Sequence, residues 1–219
     1  MRRRRHPEYV YHLTKAQNLP SILRHGLMST ERLLDLTHFE QAQKALFLRM
    51  HRPRGLSVSD GISIRDQSSI PPSRLAGALE GGMTPGDWYA LLNRFVFFWP
   101  SRERLDRHLR ACSADDQVVL TFSATALLAH FGNRTFVTPI NTGDARSKPA
   151  RRGPGTLVPY HRWLAEGWLD RRSSHPAAEI LIDETVPIRA PFLVETVDLR
   201  GSLRHVDTTR GRANVFDVL

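Results

Sequence analysis

The chain has 219 residues, 41% hydrophobic and 24% charged, with a single cysteine, Cys112. This composition excludes a disordered chain, an intrachain disulfide and a cysteine-built zinc site, and a chain of this length buries a core without them. The formal net charge is +9, with Lys15, Lys44 and Lys148 the only lysines, so the excess is arginine, whose planar fork suits phosphate and whose charge attracts polyanions.

Tyr9–Thr14 alternates and is rich in aromatic and β-branched residues, which predicts a strand. Asn18 starts a helix through Ile22 and Leu23, closed by Gly26. Leu27-Met28 is extended, and Ser29 or Thr30 caps a helix from about Glu31 to Arg49. Ser57–Arg65 reads as a short strand with a turn at Asp60-Gly61. Pro71-Pro72 precedes a helix near Ser73–Leu79, Gly81-Gly82 breaks it, and Thr84-Pro85 starts another over Gly86–Asn93. Phe95–Trp99 is a continuous apolar run, hence a buried strand. Ser101 caps a helix to about Ala111, Val118–Ser123 is a strand, and Ser123–His130 a short helix. Residues 141–159 are rich in Gly, Pro and basic residues and read as a loop of unusual length. The helix Tyr160–Leu169, the strands Ala178–Ile182 and Phe192–Asp198, and a flexible tail over 204–219 complete the chain. Helices and strands mix without regular alternation, so the expected class is α+β in one domain spanning 1–219. No Gly-rich phosphate loop follows the first strand. No apolar run approaches 18 residues and no apolar signal core follows Arg2–Arg5, so the expectation is a cytoplasmic protein without a membrane partner.

Few residues stand out chemically. His12 and Thr14 are two apart on a strand and face the same side, offering an imidazole and a hydroxyl together. Either they contact a ligand, or they satisfy nearby backbone groups. Glu179 is a lone carboxylate in the apolar strand of His-Pro-Ala-Ala-Glu-Ile-Leu-Ile. It is either rigidly placed for catalysis or the solvent-facing residue of an edge strand. Arg146, Lys148, Arg151 and Arg152 make the long loop basic, a candidate grip for nucleic-acid phosphates. Tyr160, Trp163 and Trp168 follow it, as stacking platforms or, more simply, as core residues of an amphipathic helix. A GC-rich genome explains the arginine-to-lysine ratio as well as function does, but leaves the net charge in place. The ten histidines show no metal-ligand spacing, no Gly-x-Ser-x-Gly elbow exists, and Cys112 reads as a buried, inert thiol.

Three blocks in order resemble the DarT-type DNA ADP-ribosyltransferases. The first is Tyr11-His12-Leu13-Thr14, then Asn18-Leu19-Pro20-Ser21-Ile22-Leu23 and His25-Gly26-Leu27. The second is the aromatic Phe95–Trp99 followed by Pro100, and the third is Ala178-Glu179-Ile180-Leu181-Ile182 with Val186-Pro187-Ile188 beyond it. The resemblance implies an ADP-ribosyltransferase-like split β-sheet core flanked by helices, with NAD as co-substrate and no metal. It implies that Glu179 is the catalytic carboxylate, stabilising an oxocarbenium-like transition state. It implies that His12 and Thr14, with Tyr11 beside them, hold the ribose and nicotinamide end of NAD. The family also uses an arginine. Arg65, in Ile64-Arg65-Asp66-Gln67, is the preferred match and Arg94 the other candidate. The segment between the first two blocks departs from the DarT pattern, which leaves the acceptor open.

The expected function is therefore NAD-dependent modification of single-stranded DNA or RNA, in a toxin or phage-defence setting that would bring an antitoxin partner. The alternatives are a non-catalytic nucleic-acid-binding protein, an RNA 2′-phosphotransferase, and a protein ADP-ribosyltransferase. The first of these predicts salt-sensitive binding of DNA or RNA and no use of NAD.

Overall fold

The computed structural model describes residues 6–58, 61–111, 116–168, 175–199 and 204–207. Cys112 and Leu169 lie outside the described residues. The alternation at the start of the chain forms the expected strand, β1 (Tyr9–Lys15). Its neighbour is β5 (Gln117–Ser123), which is buried along almost its whole length because both its faces are packed, Val118, Leu120 and Phe122 in one apolar cluster and Val119 in another. Beyond it lie β9 (Leu193–Asp198) and β10 (Arg204–Asp207), giving a four-stranded antiparallel sheet in the order β1-β5-β9-β10. A second antiparallel sheet runs β4-β8-β6-β7, built from β4 (Val96–Phe98), β8 (Glu179–Ile182), β6 (Thr135–Thr138) and β7 (Val158–Pro159). A small hairpin, β2 (Leu56–Ser57) with β3 (Ser63–Ile64), completes the strands described.

Eight helices surround the sheets among the described residues: α1 (Leu19–His25), α2 (Thr30–Leu34), α3 (Gln41–Arg49), α4 (Pro72–Ala76), α5 (Pro85–Asn93), α6 (Arg102–Ala111), α7 (Ala124–Phe131) and α8 (Tyr160–Glu166). The class is α+β, as the mixed element order predicts. No helix among the described residues is long and apolar enough to cross a membrane.

One apolar cluster takes side chains from both sheets, including Val10, Leu120 and Phe122 from the first and Val96, Phe98 and Ile180 from the second. The Phe98 and Phe122 rings meet edge to face at 5.3 Å. The sheets also touch through backbone. Tyr11 N–H donates to Trp99 O (3.0 Å) and Trp99 N–H donates to Tyr11 O (2.8 Å), just past the end of β4. Gly26 follows α1 with φ +84°, a region that only glycine enters at little cost. A Cβ there would lie 2.9 Å from Thr185 Cγ2 and 3.0 Å from Val186 O, across the backbone bridge between Leu27 and Val186.

Several elements differ from the sequence-based expectation. The helix expected over Glu31–Arg49 is two helices. Thr37 Oγ1 donates to Leu34 O (2.6 Å) and ends α2, and Glu40 N–H donates to Gln43 Oε1 (2.9 Å) to start α3. Ser57–Arg65 is a hairpin rather than one strand. The loop 141–159 is folded: Thr142, Ala145 and Arg152 are buried, a 3-10 turn spans Pro154–Thr156, and β7 follows it. The tail expected to be flexible contributes β10, which pairs with β9 over Arg204–Asp207; 208–219 lie outside the described residues. Strand β6 was not expected, because Thr-Phe-Val-Thr is too short to show periodicity.

Candidate functional site

A cavity of about 610 Å³ opens where the two sheets meet. Its walls include His12 and Thr14 of β1, residues 62–70, the end of β4, Asn141–Asp144 and Glu179. Strand pairing explains the convergence. Phe98 faces Ile180 and Thr138 faces Glu179, so Glu179 heads β8 at the end of β4 where Trp99 bridges to Tyr11. His12 is the next residue along β1. Two titratable side chains, 167 positions apart in sequence, therefore lie at one seam.

Glu179 is buried, 5% exposed, and is not the solvent-facing residue of an edge strand. Its Oε2 accepts from Thr138 Oγ1 (3.0 Å), Thr142 N–H (3.1 Å) and Thr142 Oγ1 (2.8 Å). Among the described residues no hydrogen bond is made to Oε1, and the side chain lines the cavity. Burial pushes the carboxyl pKa above the usual glutamate value, and the Thr142 and Thr138 hydrogen bonds and Arg104 oppose that rise in part. Thr138 can serve either protonation state. Its hydroxyl lies 2.8 Å from Ile140 O as well as 3.0 Å from Glu179, and its single proton reaches one acceptor at a time.

His12 is fixed by backbone. Nδ1 lies 2.8 Å from Phe97 O, and a carbonyl only accepts, so Nδ1 carries the hydrogen. Burial, with the nearby Arg65 charge, lowers the imidazole pKa to about 4 against the partial support of that bond. The ring is therefore neutral near pH 7, and Nε2 is a hydrogen-bond acceptor. Thr14 Oγ1 accepts from Asn18 Nδ2 (3.1 Å), which leaves its own proton to donate. Asn18 in turn ties β1 to the hairpin through Ser63, with N–H···Oδ1 at 2.7 Å and Nδ2–H···O at 2.9 Å. The sequence pair His12/Thr14 thus presents one acceptor and one donor to the same cavity.

Arg65 also lines the cavity. Its Nη1 donates to His108 Nε2 (2.7 Å) and its Nη2 approaches Gln117 Oε1 (3.5 Å). His108 stacks at a tilt on Trp99 with 5.0 Å between centroids, and burial lowers its pKa to about 4.

Of the remaining candidates, Arg146 alone reaches the cavity. Tyr11 packs on the other side of β1, against Leu105 and Val119. Arg94 does not line the cavity. It is exposed, pairs with Asp183 (2.8 Å), and lies over the Phe95 ring. Within the basic loop, Arg146 lines the cavity and pairs with Asp144 (3.1 Å), Lys148 is exposed, and Arg151 pairs with Glu80. Arg152 is 1% exposed and donates to three carbonyls, Ala150, Thr142 and Asp144. It holds the loop from inside and presents nothing to a phosphate outside. Tyr160, Trp163 and Trp168 are core.

Sequence reading missed Thr138, Thr142, His108 and Arg52 as parts of the site. The only local hint was Thr142 within Asn-Thr-Gly-Asp, a turn sequence. Among the described residues, no group of three or more His, Cys, Asp and Glu side chains is placed to hold a metal. A protein-family model matches residues 8–193, most of the chain. No curated protein matches it.

Proposed function

Because the chain belongs to DUF7002, a family of unknown function, we propose its activity from the site itself: transfer of ADP-ribose from NAD to a nucleic acid, with Glu179 as the catalytic carboxylate. The observation that carries this reading is the buried Glu179, held through Oε2 alone, in one cavity with His12 and Thr14. Two antiparallel sheets joined at that seam are consistent with the split-sheet core of ADP-ribosyltransferases. The cavity volume falls in the range of small-molecule sites.

NAD supplies an activated C–N glycosidic bond: nicotinamide leaves with the bonding pair, and an acceptor nitrogen or oxygen closes on the ribose carbon and loses its proton. The side chains do the rest. Ionised Glu179 places negative charge where positive charge grows on the sugar, in a site of low dielectric where such charge acts strongly. Its threonine donors pre-orient it, so little reorganisation is needed at the transition state. Neutral His12 accepts from a ribose hydroxyl through Nε2, and Thr14 donates. Arg65, bonded to His108, adds positive potential near His12. The net charge of +9 favours a polyanionic acceptor, single-stranded DNA or RNA.

The test is incubation of the protein with NAD labelled on its adenylate, beside separate pools of single-stranded DNA, duplex DNA, RNA and protein. Label in a nucleic-acid pool that is absent with Glu179→Gln supports the reading, and label in the protein pool alone moves the acceptor. No label, no nicotinamide release and no NAD binding would leave a non-catalytic nucleic-acid-binding protein. The rate should also depend on pH in a particular way. Ionised Glu179 is required and its pKa is raised, so the rate falls on acidification at a pH above the ordinary glutamate value of about 4.3. Thr142→Val removes a hydrogen bond that favours the charged form and should move that acid limb to still higher pH. An acid limb unmoved in a folded Thr142→Val protein would show that a group other than Glu179 governs it.

A further inference from the structure

Arg52 follows α3 and is 6% exposed, yet its guanidinium has little to bind. Nη2 donates to Asn93 Oδ1 (3.0 Å), and the group lies over the Phe47 ring at 4.9 Å. Nε and Nη1 are buried and have no hydrogen-bond partner. Among the described residues no carboxylate lies within ion-pair distance of it. The acids that line the same cavity are committed elsewhere: Asp66 to Ser68, Asp144 to Arg146, and Glu179 to Thr138 and Thr142.

A buried cation without a counter-charge is costly, and buried donors are ordinarily satisfied. Support of the fold does not explain it. The backbone of Arg52 already anchors the cavity wall, through Arg52 N–H to Gln67 Oε1 (3.0 Å) and Gln67 N–H to Arg52 O (2.6 Å). Any residue but proline could make those two bonds. What the side chain adds is a positive charge at the wall of the cavity, with two unused donors covered just beneath its surface. Burial lowers its pKa to about 10, so it is still charged near pH 7.

We infer that Arg52 is an anion subsite of the cavity, completed by a phosphate oxygen of the small nucleotide that binds there. The inference deepens the transferase reading and rests on it for the ligand's identity, the diphosphate of NAD. The depth of Arg52 favours a small nucleotide over a polymer backbone, which meets side chains nearer the surface. Charge-assisted bonds to phosphate would supply the missing counter-ion, with the guanidinium turning so that a donor now covered, Nε or Nη1, meets it.

The experiment is titration calorimetry of ADP, inorganic pyrophosphate and a short single-stranded oligonucleotide into wild type, Arg52→Met and Arg52→Lys, with thermal melting of each. Wild type should bind ADP and pyrophosphate, and Arg52→Met should lose at least about tenfold in affinity for both. Arg52→Met without ligand should melt no lower than wild type, because it removes an unpaired buried charge; a merely structural arginine would predict the opposite. Arg52→Lys keeps the charge but has fewer donors, and should bind between the two. Should Arg52→Met fail to fold, the role is structural unless Arg52→Lys still weakens ADP binding. Unchanged ADP affinity in the folded variants, no binding of ADP or pyrophosphate by wild type, or loss of oligonucleotide binding alone would each overturn the inference. The two readings fail separately. Arg52-dependent ADP binding without any use of NAD would sink the transferase and keep the subsite, and NAD turnover with an indifferent Arg52 would do the reverse.

Discussion

Glu179→Gln is expected to slow nicotinamide release from NAD by roughly 10²–10³-fold while the protein melts no lower at neutral pH. The two effects share one cause. Glutamine keeps the shape and an acceptor oxygen for Thr138 and for the Thr142 amide and hydroxyl. It lacks the negative charge that would oppose charge growing on the ribose. That same charge is a burden on the folded state, because burial raises the carboxyl pKa above its unfolded value. Between the unfolded and the raised pKa the native protein binds more protons, so its stability falls as pH rises through that window. Above the window the penalty is constant, and the glutamine variant is free of it. Melting curves of both proteins should therefore separate in favour of glutamine near pH 7 and converge as the pH drops towards about 4. A wild-type rate in the variant would remove Glu179 from catalysis. A variant that melts lower at pH 7 would show that the carboxylate is a structural anchor.

Arg152→Ala should cost about 3–5 kcal/mol in urea denaturation, the largest stability effect expected of any single change in the site. The guanidinium gathers Ala150 O (2.9 Å), Thr142 O (3.0 Å) and Asp144 O (2.8 Å) and lies over the fully buried Trp88 at 5.8 Å. Truncation strands these carbonyls and opens a void beside Trp88. The loss also reaches the chemistry, because the segment released is the one that brings Thr142 to Glu179. The proposed transferase activity should fall with stability. Arg152→Lys should recover little, since one ammonium cannot reach three carbonyls set around a planar fork. A cost under about 1 kcal/mol for Arg152→Ala would mean that the loop is held by something else.

What could be read from the sequence follows the range of the forces involved. The alternation of β1 is local, and it places His12 and Thr14 on one face whatever strand pairs with it. The apolar run around Glu179 located β8, but local pattern leaves open whether a lone carboxylate faces water or the interior. That is decided by β6 and by Thr142, which lie far along the chain. Arg152 misled for the same reason. A Gly- and Pro-rich stretch with four basic residues looks solvated, and only the tertiary position of Trp88 and three carbonyls shows that one of the four is core. Arg52 had no signal at all, being one arginine among many in Met-His-Arg-Pro-Arg. Its distinction is a buried charge without a counter-charge, which no local pattern encodes.

The paired amides of Tyr11 and Trp99 have a dynamic consequence. His12 belongs to one sheet and Glu179 to the other, so a ligand held by both acts as a rivet across the joint. Openings that part the sheets must first release it, and the Tyr11 and Trp99 amide protons should exchange with solvent more slowly once ADP-ribose is bound. Deuterium uptake at those two positions would then count how often the joint opens. Faster or unchanged uptake would mean that the ligand rests on one sheet alone.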